Sequence, residues 1–445
     1  MISVEYSHNT TMTRRQIITA ILIAVGCSLY LTSRTFRHPY EGDETGWTTS
    51  SIYHTELLAH AEFSREAWDA ARYDTYGWTN PQLGKIMLGI PLLIYCTEHG
   101  RSYNGTIYNY GVDYQTNRRN GAVVPDDILA VGRRSSAVFG GICCGLIFAL
   151  GCMLQGELTG ILAALLLLQM PTFVFSATSV LTDMPYNIFL IGFYLCCVVY
   201  TRADANPRNK HLHIVMCALL AALATSVKVQ GLPLCCTIFA GTLALELRLG
   251  RCKLSEAANK LGCFTLYAVV LVYLFNPALL PLPTRPAPVA GGNHYPDVPG
   301  FATISISHNR LFRLPTIYLW WSRFMKIQAL TSGGWYAPRI KLIHRSILYC
   351  MGESGQLAMV VLLSAVATVM QAVQNWRRKH AETSTQLALF FIVNYLLILC
   401  FLRLNWPRYY LPTTIACCLM VAFQASRLSR HVLIAVRGRV TARAN

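Results

Sequence analysis

The residues best suited to chemistry begin with an acidic cluster, Glu41-Gly42-Asp43-Glu44, which follows the first long apolar segment of the chain. A carboxylate held at a membrane surface can act as a general base, because it can take a proton from an attacking hydroxyl group. The same residues can equally form the solvated start of a loop. These four residues alone leave both interpretations open.

Two lysines interrupt apolar sequence. Lys85 ends the segment Pro81–Lys85, where a hydrophilic stretch gives way to an apolar one. A lysine at this position can extend to the membrane surface, or it can bind a phosphate there. Gly84 and Lys85 do not form a nucleotide-binding loop, because Ile86 stands where Ser or Thr is needed. Lys228, in the segment Lys228–Gly231, breaks a long stretch of mostly apolar residues.

Two further segments combine charged and aromatic residues near apolar ones. Asp183 lies in Thr182–Pro185, a pattern that is also typical of an ordinary helix start. Arg403, Arg408 and Tyr409 lie just before or within the last apolar segment, where such residues often only anchor a helix. Because ionisable residues are energetically expensive at membrane depth, each is also a candidate functional residue.

Long apolar segments have to position these residues. Of the 445 residues, 53% are hydrophobic and 13% are charged, whereas about a quarter are charged in a soluble domain. Segments of about 20 apolar residues match the thickness of bilayer hydrocarbon, where the backbone satisfies its own hydrogen bonds as helix. The run Ile161–Gln169 lacks the alternation of barrel strands. The sequence predicts an all-α polytopic membrane protein, with apolar segments at 16–33, 83–97, 135–154, 158–181, 186–200, 212–227, 231–247, 261–281, 357–373, 386–402 and 409–425.

The positions of lysine and arginine predict the topology, because basic clusters favour the cytoplasmic side of a membrane. The basic clusters lie at residues 14–15, 202–210, 248–253, 377–379 and 427–443. The simplest arrangement in which all of them are cytoplasmic is one in which one segment between residues 83 and 181 does not fully cross. We therefore expect about ten transmembrane helices with both termini cytoplasmic. The same rule explains the formal net charge of +17, so no nucleic-acid partner is predicted.

We expect a single integral membrane domain over residues 1–445. It comprises an N-terminal helical core (16–281) with a first external loop (34–82), a second external loop (283–346) and C-terminal helices (347–425). Short juxtamembrane helices are expected in both loops. Trp320, Trp321 and Trp335 in the second loop indicate a helix on the membrane surface that could cover the site. Stacking of a sugar on these rings is the other interpretation.

Cysteines and metal ligands contribute little to the prediction. Most of the sixteen cysteines lie inside apolar segments, where cysteine acts as a small apolar side chain, so a disulfide framework or a zinc site is not predicted. No spacing of ligand residues predicts a tight metal site, and no cofactor is required. The sequence leaves open whether a divalent cation, Mg or Mn, binds loosely between Asp43, Glu44 and Asp183.

Together, the motifs resemble those of one superfamily of membrane enzymes. An acidic pair after the first helix, a Pro-x-Leu-Gly-Lys segment, a TDMP helix start, a Lys-x-x-Gly turn and an RYYLP segment occur in that order between residues 41 and 412. They resemble the C-type glycosyltransferases, in particular the branch of protein O-mannosyltransferases and the lipid A aminoarabinose transferase. One departure is Asn80-Pro81-Gln82, where many relatives have His-Pro-Pro, so the geometry of donor or acceptor in that corner can differ.

The resemblance implies an activity and a role for each residue. Such enzymes transfer a sugar from a polyprenyl-phosphate or dolichyl-phosphate carrier to a hydroxyl of a protein, lipid or glycan on the external face, usually with inversion. Asp43 corresponds to the catalytic base, with Glu44 beside it, and Asp183 to a further acidic site residue. The residues expected to bind the donor phosphate are Lys85, Lys228, Arg403, Arg408 and Tyr409. Cations there would stabilise the charge of the departing phosphate more in the transition state than in the ground state.

A non-enzymatic transporter or lipid flippase is the alternative function. It predicts charged residues along a path through the bilayer, whereas the enzyme predicts charged residues gathered at one face. No internal repeat is visible, so a transporter built from repeats gains no support. Membrane lipid surrounds the protein in either case. We expect the plasma membrane of a bacterium or the endoplasmic reticulum of a eukaryote.

Overall fold

The computed structural model describes residues 12–62, 81–106, 108–202, 207–276, 355–378, 383–401 and 407–444. All regular secondary structure in these ranges is helical. The second predicted external loop, with Trp320, Trp321 and Trp335, lies outside the described residues, as does the candidate residue Arg403. What the sequence predicts for them stays a prediction.

The helices are numbered here in chain order through the described residues. The first seven are α1 (Arg14–Thr35), α2 (Asp43–Ala59), α3 (Leu83–Glu98), α4 (Tyr114–Arg119), α5 (Asp126–Leu154), α6 (Glu157–Gln169) and α7 (Pro171–Thr178). The next seven are α8 (Asp183–Arg202), α9 (Pro207–Val227), α10 (Gly231–Arg248), α11 (Leu254–Leu274), α12 (Gly355–Arg378), α13 (Thr383–Phe401) and α14 (Leu411–Ala444). A 3-10 turn, Pro407–Tyr410, leads directly into α14.

Local sequence sets where several of these helices begin. Thr13 and Gln16 form a capping box at the start of α1, in which each side chain accepts a hydrogen bond from the other residue's backbone N–H. Pro171 occupies the first turn of α7, where its missing N–H costs no helical hydrogen bond. Between α6 and α7 the chain bends by 73°.

The all-α polytopic fold is confirmed. Eight of the described helices, α1, α5, α8, α9, α10, α11, α12 and α14, are long and apolar enough to cross a membrane, and the bent α6–α7 pair makes a ninth such unit. Helix α13 is also apolar, but its apolar part, Ser384–Leu397, is shorter than the 18 residues taken as the minimum for a crossing.

Contacts between helix ends divide the bundle into two faces. The site face is the one at which Lys228 pairs with Asp183 and Asn276 donates to Ser226. The opposite face is defined by three contacts: Arg430 with Gln155, Lys210 with Glu246, and Gln386 with Thr201. The eight long helices and the bent pair give up to nine candidate crossings among the described helices. The number expected from the sequence, about ten, is reached only if the shorter apolar helix α13 also crosses.

Both ends of the described chain lie on the opposite face. Arg15 in the first turn of α1 contacts Glu157, the first residue of α6, and Arg430 in the second half of α14 contacts Gln155, which directly follows α5. Basic residues of the predicted cytoplasmic clusters lie on this face too. That the two ends lie on the same face agrees with the topology predicted from the positions of lysine and arginine. Its identity as the cytoplasmic side stays a prediction.

Helix α3 is the segment that does not cross. At its start, Gly84 packs against Thr182 and Val227 on the site face, where an added Cβ would lie 3.0 and 2.7 Å from their side chains. Near its end, the Tyr95 hydroxyl donates to Asp127 in the first turn of α5, at 3.3 Å. Since Asp127 also belongs to the site face, α3 stays on that face over its whole length.

Small residues allow α1 to pack closely on α5, the second of the eight long helices. Gly141 and Gly145 of α5 contact the backbone or side chains of Ala20, Ala24 and Ser28 in α1, with no room for a Cβ. Close approach of this kind is how helices associate where lipid removes the hydrophobic driving force. The contact fixes the end of α1, and therefore the acidic cluster that follows it.

Candidate functional site

Asp43 lies at the first position of α2 and is only 4% exposed. Its acidic side chain suits a helix N-terminus, where the helix dipole is positive. The Arg408 guanidinium donates to Oδ2 of Asp43, and the Tyr110 hydroxyl donates to Oδ1 at 3.0 Å. The carboxylate is therefore held at both oxygens, by residues from opposite ends of the chain.

A second ion pair joins Asp183, at the start of α8, to Lys228, between α9 and α10. The Lys228 Nζ lies 2.6 Å from Asp183 Oδ1, and the two side chains are 15% and 5% exposed. Burial lowers the pKa of Lys228, and the Asp183 carboxylate opposes that shift. The segment Thr182–Pro185 is thus an ordinary helix start, which was one of its two interpretations from the sequence. Its aspartate also pairs with a cation.

The ring of Tyr409 lies beside both cations. Lys228 Nζ is 5.5 Å from the ring centroid, and the guanidinium carbon of Arg408 is 5.8 Å from it. Cations at this range are attracted to the face of an aromatic ring. We call Asp43, Arg408, Tyr409, Lys228 and Asp183 the ion-pair cluster. It brings together five of the eight residues that the sequence predicted for the site.

Lys85 lies in the first turn of α3 and is fully buried. Its Nζ donates to Gln82 Oε1 at 3.1 Å. Burial and the charge of Lys85 lower the pKa of His54, in α2, to about 3, so this imidazole is neutral at physiological pH. Gly84 touches Thr182 and Val227, the residues that directly precede Asp183 and Lys228. Lys85 therefore lies on the site face, next to the ion-pair cluster.

Glu44 is fully buried, and its carboxylate accepts hydrogen bonds from a guanidinium and from two backbone N–H groups. Arg133 of α5 donates to Oε1 at 2.9 Å and to Oε2 at 2.6 Å. The backbone N–H groups of Val180 and Glu41 donate to the same two oxygens, at 2.9 and 3.0 Å. These contacts tie the start of α2, which carries Asp43 and Glu44, to α5 and to the segment before α8.

Sequence reasoning missed two residues of this site, Arg133 and Tyr110. Arg133 precedes the apolar segment predicted at 135–154, but α5 begins at Asp126, so Arg133 lies two turns inside the helix. Pro125 followed by two aspartates is a helix-start pattern that could have moved the boundary upstream. Tyr110 carries no comparable signal, because its role depends on a loop folding back over Asp43.

The donor set does not fit the divalent cation that the sequence left open. In the described part of the chain, no three His, Cys, Asp or Glu side chains lie together as metal ligands would. Asp43 and Asp183 each face a cation, and Glu44 accepts from four hydrogen-bond donors.

The sequence matches no protein-family profile, and no curated protein matches it significantly. Among solved structures, the fold is similar to the crystal structure of ArnT from Cupriavidus metallidurans bound to undecaprenyl phosphate, with a TM-score of 0.49 and 13% sequence identity. The match covers 96% of this chain and 64% of the ArnT chain, so this chain spans less than two thirds of that protein's length.

Proposed function

We propose that this chain is a membrane glycosyltransferase, which moves a sugar from a polyprenyl-phosphate carrier to an acceptor hydroxyl at the site face. The observation that carries the proposal is the ion-pair cluster. In it a buried carboxylate, Asp43, lies within a group of cations at one rim of a helical bundle. The order of the sequence motifs also supports this function. On this proposal, the site face is the external face of the membrane.

Asp43 is the general base of the proposed reaction. It accepts the proton of the acceptor hydroxyl while that oxygen forms a bond to the anomeric carbon of the sugar. The bond between that carbon and the phosphate oxygen breaks, and its electron pair stays on the phosphate. One base and a phosphate leaving group suffice for direct displacement, so a second catalytic carboxylate is not needed. This agrees with the fixed contacts of Glu44.

Arg408, Lys228 and Lys85 are the cations that would hold the departing phosphate. As the glycosidic bond breaks, negative charge grows on the phosphate oxygens, so fixed cations bind the transition state more strongly than the ground state. A guanidinium has five N–H donors in a rigid fork. Arg408 can therefore keep its bond to Asp43 and still donate to a phosphate. The Tyr409 ring would hold the Arg408 and Lys228 side chains apart, with both cations directed toward the phosphate.

The distribution of buried charge favours an enzyme over a transporter. Among the described residues, the buried charged side chains are Asp43, Glu44, Lys85, Arg133 and Asp183 on the site face and Glu246 on the opposite face. A transporter would need charged groups along a path between the two faces. In the described residues these groups gather at the faces instead, and mostly at one of them.

The direct test is to incubate the purified full-length protein with a panel of polyprenyl-phosphate and dolichyl-phosphate sugars and a mixture of hydroxyl acceptors. Release of free carrier phosphate would be measured for each donor. We expect at least one donor to be consumed in a time-dependent, acceptor-dependent manner. If the folded protein consumes no member of the panel under any condition, the proposal fails.

The Lys228→Met variant is expected to lower kcat/KM for transfer by about 10²–10³-fold, the usual effect of removing one charge-stabilising group from a dry site. Methionine is of similar length and keeps the packing against Tyr186 and Tyr409, but it removes the charge. The measurement is release of carrier phosphate, divided by the amount of folded protein recovered from size-exclusion chromatography.

Lys210→Met is the matched control for Lys228→Met. Lys210 forms the same kind of buried pair on the opposite face, with Glu246 at 3.2 Å and side-chain exposures of 13% and 1%. It should leave kcat/KM within a few-fold of the wild type. If both lysine variants lose activity equally after correction for folded protein, Lys228 acts only through the fold and not on the phosphate.

A further inference from the structure

The loop that precedes α4 carries a phenol that contacts the proposed base directly. The Tyr110 hydroxyl donates to Asp43 Oδ1 at 3.0 Å and lies 3.5 Å from Glu41 Oε1. A phenol has a single proton to donate. The shorter distance assigns that proton to Asp43, so Glu41 is the weaker competitor for the same hydroxyl.

The position of Tyr110 is built into the fold on both sides. Its ring packs against Gly42, where an added Cβ would lie 2.9 Å from the Tyr110 hydroxyl oxygen and 2.6 Å from the Tyr108 ring. The rings of Tyr108 and Tyr110 meet edge to face, with centroids 5.2 Å apart. Asn117 of α4 is only 1% exposed. Its side chain accepts a hydrogen bond from the backbone N–H of Asn109, at 2.8 Å, and donates one to the carbonyl of the same residue, at 2.9 Å. The loop therefore holds the phenol in one place.

The described groups that face Asp43 come from three elements. Arg408 and Tyr409 reach it from the 3-10 turn, Glu41 and Glu44 lie on its own segment, and Tyr110 comes from the loop. The two neighbouring carboxylates disfavour the ionised form of Asp43, whereas Arg408 and the Tyr110 hydroxyl favour it. Burial and the Asp43 charge raise the pKa of Tyr110 above its ordinary value, so the phenol remains a proton donor.

We propose that Tyr110 is a positioning residue for the transfer reaction. Its hydroxyl holds Oδ1 of Asp43 while Arg408 holds Oδ2, so the base stays ionised and points in one direction. This inference rests on the proposed function. Tyr110 itself gives up no proton in the reaction.

The test is the pH dependence of kcat/KM for wild type, Tyr110→Phe, Glu41→Gln and Tyr108→Phe, each as the full-length protein. The substrate is the polyprenyl-phosphate sugar that the wild type consumes fastest. Loss of the Tyr110 hydrogen bond removes a group that favours the carboxylate, so the acid limb should move to higher pH, by about 0.5–1 pH unit. Glu41→Gln removes a repelling charge, so its acid limb should move to lower pH.

Tyr108→Phe is the matched control. It removes a hydroxyl from the neighbouring ring of the same aromatic pair, for which the structure gives no contact with Asp43, so its profile should coincide with that of the wild type. If Tyr110→Phe and Tyr108→Phe give the same profile in an active protein, the inference is overturned and the proposed function stands. A folded wild type that consumes no donor would overturn both.

Discussion

Replacing Asp43 with asparagine is expected to abolish measurable sugar transfer while leaving the protein able to bind a polyprenyl-phosphate sugar. Asparagine has the same shape but cannot take a proton from the acceptor, and loss of a general base typically costs about 10²–10⁴-fold in rate. The change also frees Arg408 from its carboxylate partner. Donor affinity should therefore stay the same or increase. Carrier-phosphate release gives the rate, and equilibrium binding of a radiolabelled donor gives the affinity.

Asp126→Asn is a suitable control for this experiment. Asp126 also lies on the site face, at the start of α5, but its side chain is 78% exposed and its ion pair with Arg118 is long, at 3.8 Å. Its substitution should change neither rate nor affinity. Should Asp43→Asn keep a rate within a few-fold of the wild type, Asp43 is not the base. Loss of donor binding with no selective loss of rate would point instead to a role in binding.

The charge balance of the ion-pair cluster explains how such a site can exist without its donor. A buried cation with no counter-charge is costly in a region of low dielectric constant. Asp43 and Asp183 provide that counter-charge for Arg408 and Lys228. On the proposed function, a lipid phosphate would have to compete with carboxylates that already pair with these cations. This competition would let the spent carrier leave the site.

The apolar pattern was sufficient to predict the helices and the face on which the candidate residues meet. The basic clusters lie at one set of helix ends, which the charge rule places on one side of the membrane. The other helix ends, which carry Asp43, Asp183, Lys228 and Arg408, are therefore predicted on the opposite side. The pattern left open which segment fails to cross. The structure assigns this to α3, since both of its ends contact the site face. Helix α3 has 16 residues with Pro91 inside it, so it is shorter than the eight helices that are long enough to cross a membrane.

The partners of each charged residue could not be predicted, because they depend on distances between segments far apart in the chain. Arg408 pairs with Asp43 across 365 positions, and Arg133 reaches Glu44 across 89. Hydropathy marks only the apolar part of a helix, so it placed the start of α5 after Arg133. It also described residues 34–82 as a hydrophilic loop, although the hydroxyl-rich helix α2 within it is mostly buried.

Replacing Arg133 with methionine is expected to lower the free energy of unfolding by about 3–5 kcal/mol, the typical cost of leaving one member of a buried ion pair without its partner. Glu44 would keep its charge in a site with no exposure to solvent. Arg133 also donates to the backbone carbonyls of His38 and Pro39, at 2.8 and 2.9 Å. Its loss should therefore loosen the segment that carries Asp43. Thermal unfolding in detergent, followed by circular dichroism, measures the change.

The neighbouring residue supplies the control, and a double variant tests the cause. Arg134 is exposed and lies 5.6 Å from the Phe36 ring centroid, so Arg134→Met should change stability little. Combining Arg133→Met with Glu44→Leu removes the buried charge and should recover part of the loss. Recovery should stay incomplete, because the backbone groups that these side chains bind would remain buried without partners, at about 1–3 kcal/mol each. If Arg133→Met is as stable as Arg134→Met, the Glu44–Arg133 pair does not hold the acidic cluster in place, and the position of Asp43 must depend on its other contacts, which include Arg408 and Tyr110.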